Sequence, residues 1–407
     1  MIQYGSQQYR KVTLALALGS FLVFCNLYLF QPMLPVLASS FSVSETQINW
    51  VFAASTLGLS ISLVPWAVKS ESVGRKKIML IGLLAVPLVG LSMLLTDSMW
   101  LLVAARGAMG VSLAAFASVA VAYMVEELDQ KAFRKAIGSY IAANSLGGIT
   151  GRIFGGVVTD AYDWQTAVLV MALFSLVAAV VVLLILPDQK HFRPQSSSLR
   201  HQNKALLTHL KNRKVWFAML IGGLNFALFV NLYSVMAFRL VAQPHYLPVG
   251  VASLIFLCYL AGTLSSKLTG RWTERYDGVA GMTLGSTISL LGMYLAYFEY
   301  IPSMLLGLLL IGFGAFFTHT LAYAWVSEKA VQGKATANAL YLVHYYIGGS
   351  LGGFFLIYCW QHGAWQYVLF GGSVLFALKF ALLSLLKRAT VLPLHNIETT
   401  PSHALNK

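Results

Sequence analysis

Charge is what this chain has least of. Only 10% of its 407 residues are Asp, Glu, Lys or Arg, and just 14 are acidic, whereas a soluble domain carries about 25% charge. A soluble enzyme or binding module is excluded on that ground. Cysteine is also scarce: Cys25, Cys258 and Cys359 all fall in apolar runs and share no ligand spacing. This excludes a disulfide framework and a zinc site, and no metal or cofactor is expected. Period-2 alternation is missing as well. Runs such as Ala167 to Leu186 are apolar throughout, which excludes a membrane barrel whose strands need a polar lumen face.

What the chain does have is hydrophobic length. Apolar residues make up 58% of it, and a hydrocarbon core about 30 Å thick needs about 20 apolar residues per helix. The hydropathy pattern predicts spans at 12–37, 49–68, 78–96, 100–125, 137–160, 165–187, 215–240, 249–267, 279–298, 303–326, 335–360 and 365–386. The first run continues for about 25 residues and contains Pro32 and Pro35, too long for a signal-peptide core of about 7 to 15. It is expected to remain in the mature protein.

The net charge of +14 marks topology rather than nucleic-acid binding. Of the 28 basic residues, 24 fall on the side that includes the N-terminus, and Arg106, Arg152, Arg239 and Lys379 fall inside spans. By the positive-inside rule, both termini are expected in the cytoplasm.

Residues 188–214 form the longest polar stretch and separate six spans from six. The expected domains are 1–187 and 215–388, a cytoplasmic linker at 188–214 and a cytoplasmic tail at 389–407. Landmarks in the two halves recur at an offset near 202: Gly110 and Gly312, Glu126 and Glu328, Gly147 and Gly349, Gly151 and Gly353, Glu71 and Glu274, Trp164 and Trp365. An even number of spans per half gives both repeats the same orientation. The expected fold is therefore an all-α membrane protein, with 12 transmembrane helices in two six-helix bundles related by a pseudo-two-fold axis along the membrane normal.

Between spans 2 and 3 the chain reads Ala67-Val68-Lys69-Ser70-Glu71-Ser72-Val73-Gly74-Arg75-Lys76-Lys77. Gly74 forces a short turn, and an acid and a fork-shaped guanidinium are left close enough to pair. Span 4 carries Arg106-Gly107-Ala108-Met109-Gly110, and span 5 carries Gly138, Gly147, Gly151, Gly155 and Gly156, where glycines four apart let helix backbones approach closely. These three patterns resemble the loop, arginine and antiporter motifs of the major facilitator superfamily. Here Ala67, Lys69 and Glu71 replace the family's Gly, Leu and Asp, and Arg152 replaces its Pro. Asn144 to Asp160 together with Ala339 to Ser350 are similar to the acriflavine-sensitivity branch, the YnfM-type transporters of bacterial inner membranes.

That resemblance implies alternating access, with proton-driven export of a small organic solute, drug or sugar. It implies a cytoplasmic latch in which Glu126 joins Arg75. The expected gating set is Glu71, Gly74, Arg75, Glu126 and Arg134, with Glu274 and Arg275 from a degenerate copy in the second half. An Arg inside a span costs about 2.5–3.5 kcal/mol on insertion scales. Arg106 and Arg152 are therefore expected to share a polar cavity that favours an anionic or strongly accepting substrate, with Asn26 and Gln31 as further substrate contacts.

All 14 acids lie in or near loops, so the usual membrane-embedded proton carrier is missing. His319 and His344 sit at similar depth, and imidazole is the side chain whose unperturbed titration falls nearest neutral pH; they are expected to bind the coupling proton together. A facilitator or importer of anionic or sugar-like metabolites is the alternative. No paired acids or metal-ligand set occurs within the spans, so an enzyme is not expected. The expected partners are the solute, protons and the bilayer, with no nucleic acid, and the chain is expected to act as a monomer.

Overall fold

The computed structural model describes residues 1–192, 194, 208–330 and 334–391. The described chain is helical, with a single isolated β-bridge between Ile2 and Leu128. In order, the helices are α1 Gln7–Tyr28, α2 Leu34–Ser40, α3 Glu45–Val73, α4 Arg75–Ser92, α5 Met99–Ala117, α6 Ala120–Glu127, α7 Gln130–Ala161 and α8 Trp164–Ile185. The second half comprises α9 Arg213–Val241, α10 Val249–Ala252, α11 Tyr259–Thr273, α12 Gly278–Leu295, α13 Ile301–Lys329 and α14 Lys334–Val391.

Twelve crossings result among the described residues. The pairs α1/α2, α5/α6 and α10/α11 each make one broken crossing. Non-helical dihedrals at Gly363 and Ala364 divide α14 into two. Ten helices are long and apolar enough to cross a membrane; α14 supplies two of the twelve crossings, and α7 is long but diluted by Gly, Ser, Asn and Arg. Residues 193 and 195–207 of the expected linker and 392–407 of the expected tail lie outside the described residues.

The loop acids have local work. Asp129, Asp163 and Asp277 each cap the following helix, accepting from Ala132 N, Thr166 N, and Val279 N with Ala280 N respectively, and so satisfy amides that a helix start leaves unpaired. Ser44 and Gln47 cap α3 reciprocally, a capping box.

The first expected span is interrupted. Pro32 has no N–H to donate, and Gln31 N turns to the carbonyl of Tyr28, so α1 ends at Tyr28 and a buried turn of Leu29 to Met33 follows. This break positions much of the site. It releases the last carbonyls of α1 and places the Gln31 side chain where the two halves meet.

Candidate functional site

Arg106 on α5 uses the released carbonyls. Its guanidinium donates to Asn26 O at 3.0 Å, Leu27 O at 2.9 Å and Val51 O at 3.2 Å, and lies 4.5 Å from the centre of the Phe30 ring. A cation on the terminal carbonyls of a helix is a favourable cap. Arg106 therefore ties α5 to α1 and α3 and is not aimed at a solute. Arg239 on α9 does the same for α12, donating to Ala296 O and Tyr297 O. Asn26 is likewise committed, donating to Leu22 O and to Ser175 Oγ on α8. The expected cavity shared by Arg106 and Arg152 is thus not formed, and Asn26 joins helices.

Gln31 and Arg152 meet instead at the seam between the halves. Gln31 Oε1 accepts from Arg152 Nε at 2.7 Å, while Gln31 Nε2 donates to Val230 O at 2.9 Å and Ser234 Oγ at 2.8 Å on α9. Arg152 Nη1 donates to Gly148 O. The guanidinium carbon lies 3.6 Å from the Tyr28 ring centre, 4.7 Å from Tyr259 and 5.0 Å from Phe256. Tyr28 belongs to the first half, Phe256 and Tyr259 to the second. Arg152 is 1% exposed, and among the described residues no carboxylate pairs with it. A cation over aromatic faces contributes about 0.5–2 kcal/mol per ring, which partly offsets its desolvation.

Further contacts extend this seam along α3 and the first part of α14. Thr46 Oγ1 donates to Gln361 Oε1 at 2.8 Å near the end opposite the basic loops, Thr56 and Ser350 hydroxyls meet at 2.7 Å, and Ser60 Oγ donates to Val343 O near mid-depth. Trp50 packs on Phe354 at 4.6 Å. Asn49 is fully buried here, and neither of its amide atoms has a partner among the described residues. Burying such a group costs about 1–3 kcal/mol, so the closed seam carries a polar defect.

The glycines of α7 divide between two tasks. A Cβ at Gly147 or Gly151 would run into the backbone of α1 at Phe21 and Cys25, and one at Gly155 into Leu29 at the start of the turn that follows, which packs α7 onto α1 within its own half. Gly156 alone of the expected set faces the other half, against Ser253 and Val249, and Gly138 has open space around it. The expected sliding seam is therefore largely an intra-bundle one.

At the basic end the turn forms as expected, with Gly74 at φ +109°. Arg75 Nε and Nη2 both reach Glu126 Oε1, at 3.0 and 2.9 Å, and Nη1 donates to Ser70 Oγ and Ala67 O. The guanidinium is spent there rather than on Glu71. Arg134 turns to Gln130 O of its own helix. The copy in the second half does not close: Glu328 holds Lys329, and neither Glu274 nor Arg275 makes an ion pair among the described residues.

Two unexpected acids and a linker side chain complete the first-half cluster. Gln189 donates to Glu126 Oε2, Asp188 holds Lys76 at 2.6 Å, and buried Glu127 accepts from Lys190 N and His191 N. The Lys76 ammonium holds the Asp188 carboxyl below its usual range.

The two histidines do not pair. His319 Nδ1 meets Tyr341 OH at 2.8 Å, whereas His344 Nδ1 meets Leu340 O on its own helix. Tyr345 packs against the His319 ring at a tilt, 4.4 Å between ring centres. Lys379 is the residue that sequence reasoning passed over. It is fully buried on α14, and its Nζ donates to Asn225 Oδ1 at 2.7 Å, while Asn225 Nδ2 donates to Ala315 O. An isolated cation in mid-span was the available signal.

Two helical bundles that meet along a polar seam, with a charged loop cluster within the first of them, define a membrane carrier. Residues 16–353 match the Major Facilitator Superfamily, and the chain belongs to that family. It is 32% identical over 385 residues to the uncharacterized MFS-type transporter YybF of Bacillus subtilis, covering 94% of each chain. It is 32% identical over 386 residues to the inner membrane transport protein YnfM of Escherichia coli, covering 94% of this chain and 91% of that one. Its fold is similar to that of a bacterial homolog of the human lysosomal transporter Spinster, solved inward-facing and unoccupied. The TM-score is 0.78 at 16% identity, over 95% of this chain and 98% of that one.

Proposed function

We propose that this multi-pass membrane transporter exports a small organic solute in exchange for protons, by rocking of the bundles 1–187 and 215–388 about the linker. The reading places the basic end in the cytoplasm of a bacterium and the chain in its inner membrane. The observation that carries it is the Arg152–Gln31–Ser234 bridge. It closes the half of the seam remote from the basic loops, with groups drawn from both bundles. Hydrogen bonds of this kind contribute about 1 kcal/mol each, so a few kcal/mol of differential solute binding is enough to open them.

The Arg75–Glu126 pair, with Glu71 and Gly74 beside it, holds the first-half loop in the shape against which the opposite closure forms. His319, with Tyr341 rather than His344 as its immediate partner, binds the coupling proton. A change of water access around an imidazole moves its titration through the working range. The unpaired guanidinium of Arg152 supports a second reading, a facilitator or importer of anionic or sugar-like metabolites.

The test is transport in proteoliposomes with and without an imposed pH gradient, for candidate solutes of either charge. Accumulation driven by the gradient, lost in His319→Gln while counterflow persists, supports proton exchange. Gradient-independent equilibration of an anion supports the facilitator and rejects exchange.

A further inference from the structure

The second-half copy of the loop motif is left over from this mechanism. Arg271 at the end of α11 and Arg275 in the turn that follows line one groove, and neither guanidinium makes a hydrogen bond or ion pair among the described residues. The neighbouring acids are mostly occupied: Asp277 caps α12 and Glu328 holds Lys329. Glu274 is exposed beside the two guanidiniums, so the mouth of the groove is lined by two cations and one anion.

These residues form the mouth of a groove of about 670 Å³, whose walls are Leu268, Leu284, Ile288, Phe313 and Phe317. Leu284 is 41% exposed, and α12, which carries it, packs against α11, α13 and α14 of its own bundle. The groove therefore opens to the surrounding bilayer and not to the seam. Trp272 and Tyr276 pack against each other at a tilt, 4.6 Å between ring centres, beside the mouth, where aromatic residues gather at a membrane–water interface.

An apolar trough in the membrane that ends in two unpaired guanidiniums at the headgroup level fits a molecule with a hydrocarbon tail and a phosphodiester. We infer that the α11–α12–α13 groove binds one anionic glycerophospholipid, with an acyl chain along Ile288 and Phe313 and the phosphate between Arg271 and Arg275. A guanidinium recognises phosphate oxygens through paired donors. Two guanidiniums without partners among the described residues match a monoanionic headgroup such as phosphatidylglycerol better than a zwitterion, whose own cation they would repel. The site is independent of the solute and of the direction of transport.

The experiment is native mass spectrometry of the purified full chain in mild detergent, with equimolar palmitoyl-oleoyl phosphatidylglycerol and phosphatidylcholine. The wild type is expected to retain one phosphatidylglycerol preferentially, by about tenfold. Arg271→Gln with Arg275→Gln is expected to lose about fivefold in retention for each arginine removed, and the paired Lys variant to keep most of it. Ile288→Trp, which fills the trough and keeps both charges, is expected to lose the bound lipid as well. Monodisperse elution checks that each variant is folded. Wild-type retention in either the double Gln variant or Ile288→Trp, or equal retention of the two lipids by the wild type, overturns the site.

Discussion

Substituting Leu for Gln31 perturbs the seam at its centre. The change removes two hydrogen bonds to the other bundle, at Val230 O and Ser234 Oγ, and leaves Arg152 Nε without its acceptor in a fully buried position. Each neutral bond is worth about 1 kcal/mol and an unpaired buried charged donor costs about 1.5–3 kcal/mol. The closed seam should therefore lose about 3–5 kcal/mol relative to the open one, in which water can solvate Arg152. At 1.4 kcal/mol per tenfold, that shifts the equilibrium by about 10² to 4 × 10³. Adding Arg152→Met removes the stranded charge, so the double variant should recover roughly half of the loss. Spin labels at the exposed positions Gln47 and His362, on the two sides of the seam, read the result as a distance distribution. Gln31→Leu is expected to move most of the population to longer distances and the double variant to return part of it. Unchanged distributions, or strict additivity of the two substitutions, would refute the reasoning.

Other consequences follow from the same contacts. Asn49→Leu removes two buried polar atoms that have no partner among the described residues and should stabilise the closed seam by about 1–3 kcal/mol, seen as a narrower short-distance population and slower counterflow. Arg106→Met leaves the carbonyls of Asn26 and Leu27 bare and should cost about 2–4 kcal/mol of stability; a thermal-shift measurement showing loss of stability, with solute affinity unchanged in the folded fraction, distinguishes a cap from a ligand. Gly151→Leu should prevent α7 from seating on Cys25 and abolish folded yield, whereas Gly138→Ala, with open space around it, should leave yield unchanged. The Asp188 carboxyl, held low by Lys76, stays ionised as pH falls through the ordinary carboxylate range. The Lys76–Asp188 link is thus present above that range and lost only below its lowered value. Limited proteolysis of the linker should therefore be equal at pH 7 and 5 in the wild type and faster in Lys76→Gln.

The architecture was legible because hydropathy and basic loops report on the bilayer directly. Each span is forced by solvent rather than by a particular partner. Gly74 was legible for a similar reason, since a tight turn needs a positive φ; the Arg75–Glu126 pair, 51 residues apart, was legible only through the family resemblance, whereas the short loop by itself pointed to Glu71. What sequence could not supply was the rotational phase of polar side chains. Arg106 and Arg152 both read as buried guanidiniums, yet the break at Leu29 to Met33 turns released carbonyls toward the first and an amide toward the second. His319 and His344 matched in depth but not in azimuth, and Tyr341 lies on the side that His319 faces. The glycine spacing in α7 announced close packing without saying against which neighbour. Lys379 was visible as a cation in mid-span, but its partner Asn225 is 154 residues away.

The central claim is that the seam from Thr46–Gln361 to the Arg152–Gln31–Ser234 bridge must part in every transport cycle. The direct measurement joins Thr46→Cys to Gln361→Cys with a short, reducible bifunctional thiol reagent, in a background with Cys25, Cys258 and Cys359 replaced, and follows solute flux in proteoliposomes. Loss of flux on cross-linking, with recovery on reduction, is the predicted result; flux at the uncross-linked rate while the two helix ends remain joined would contradict it.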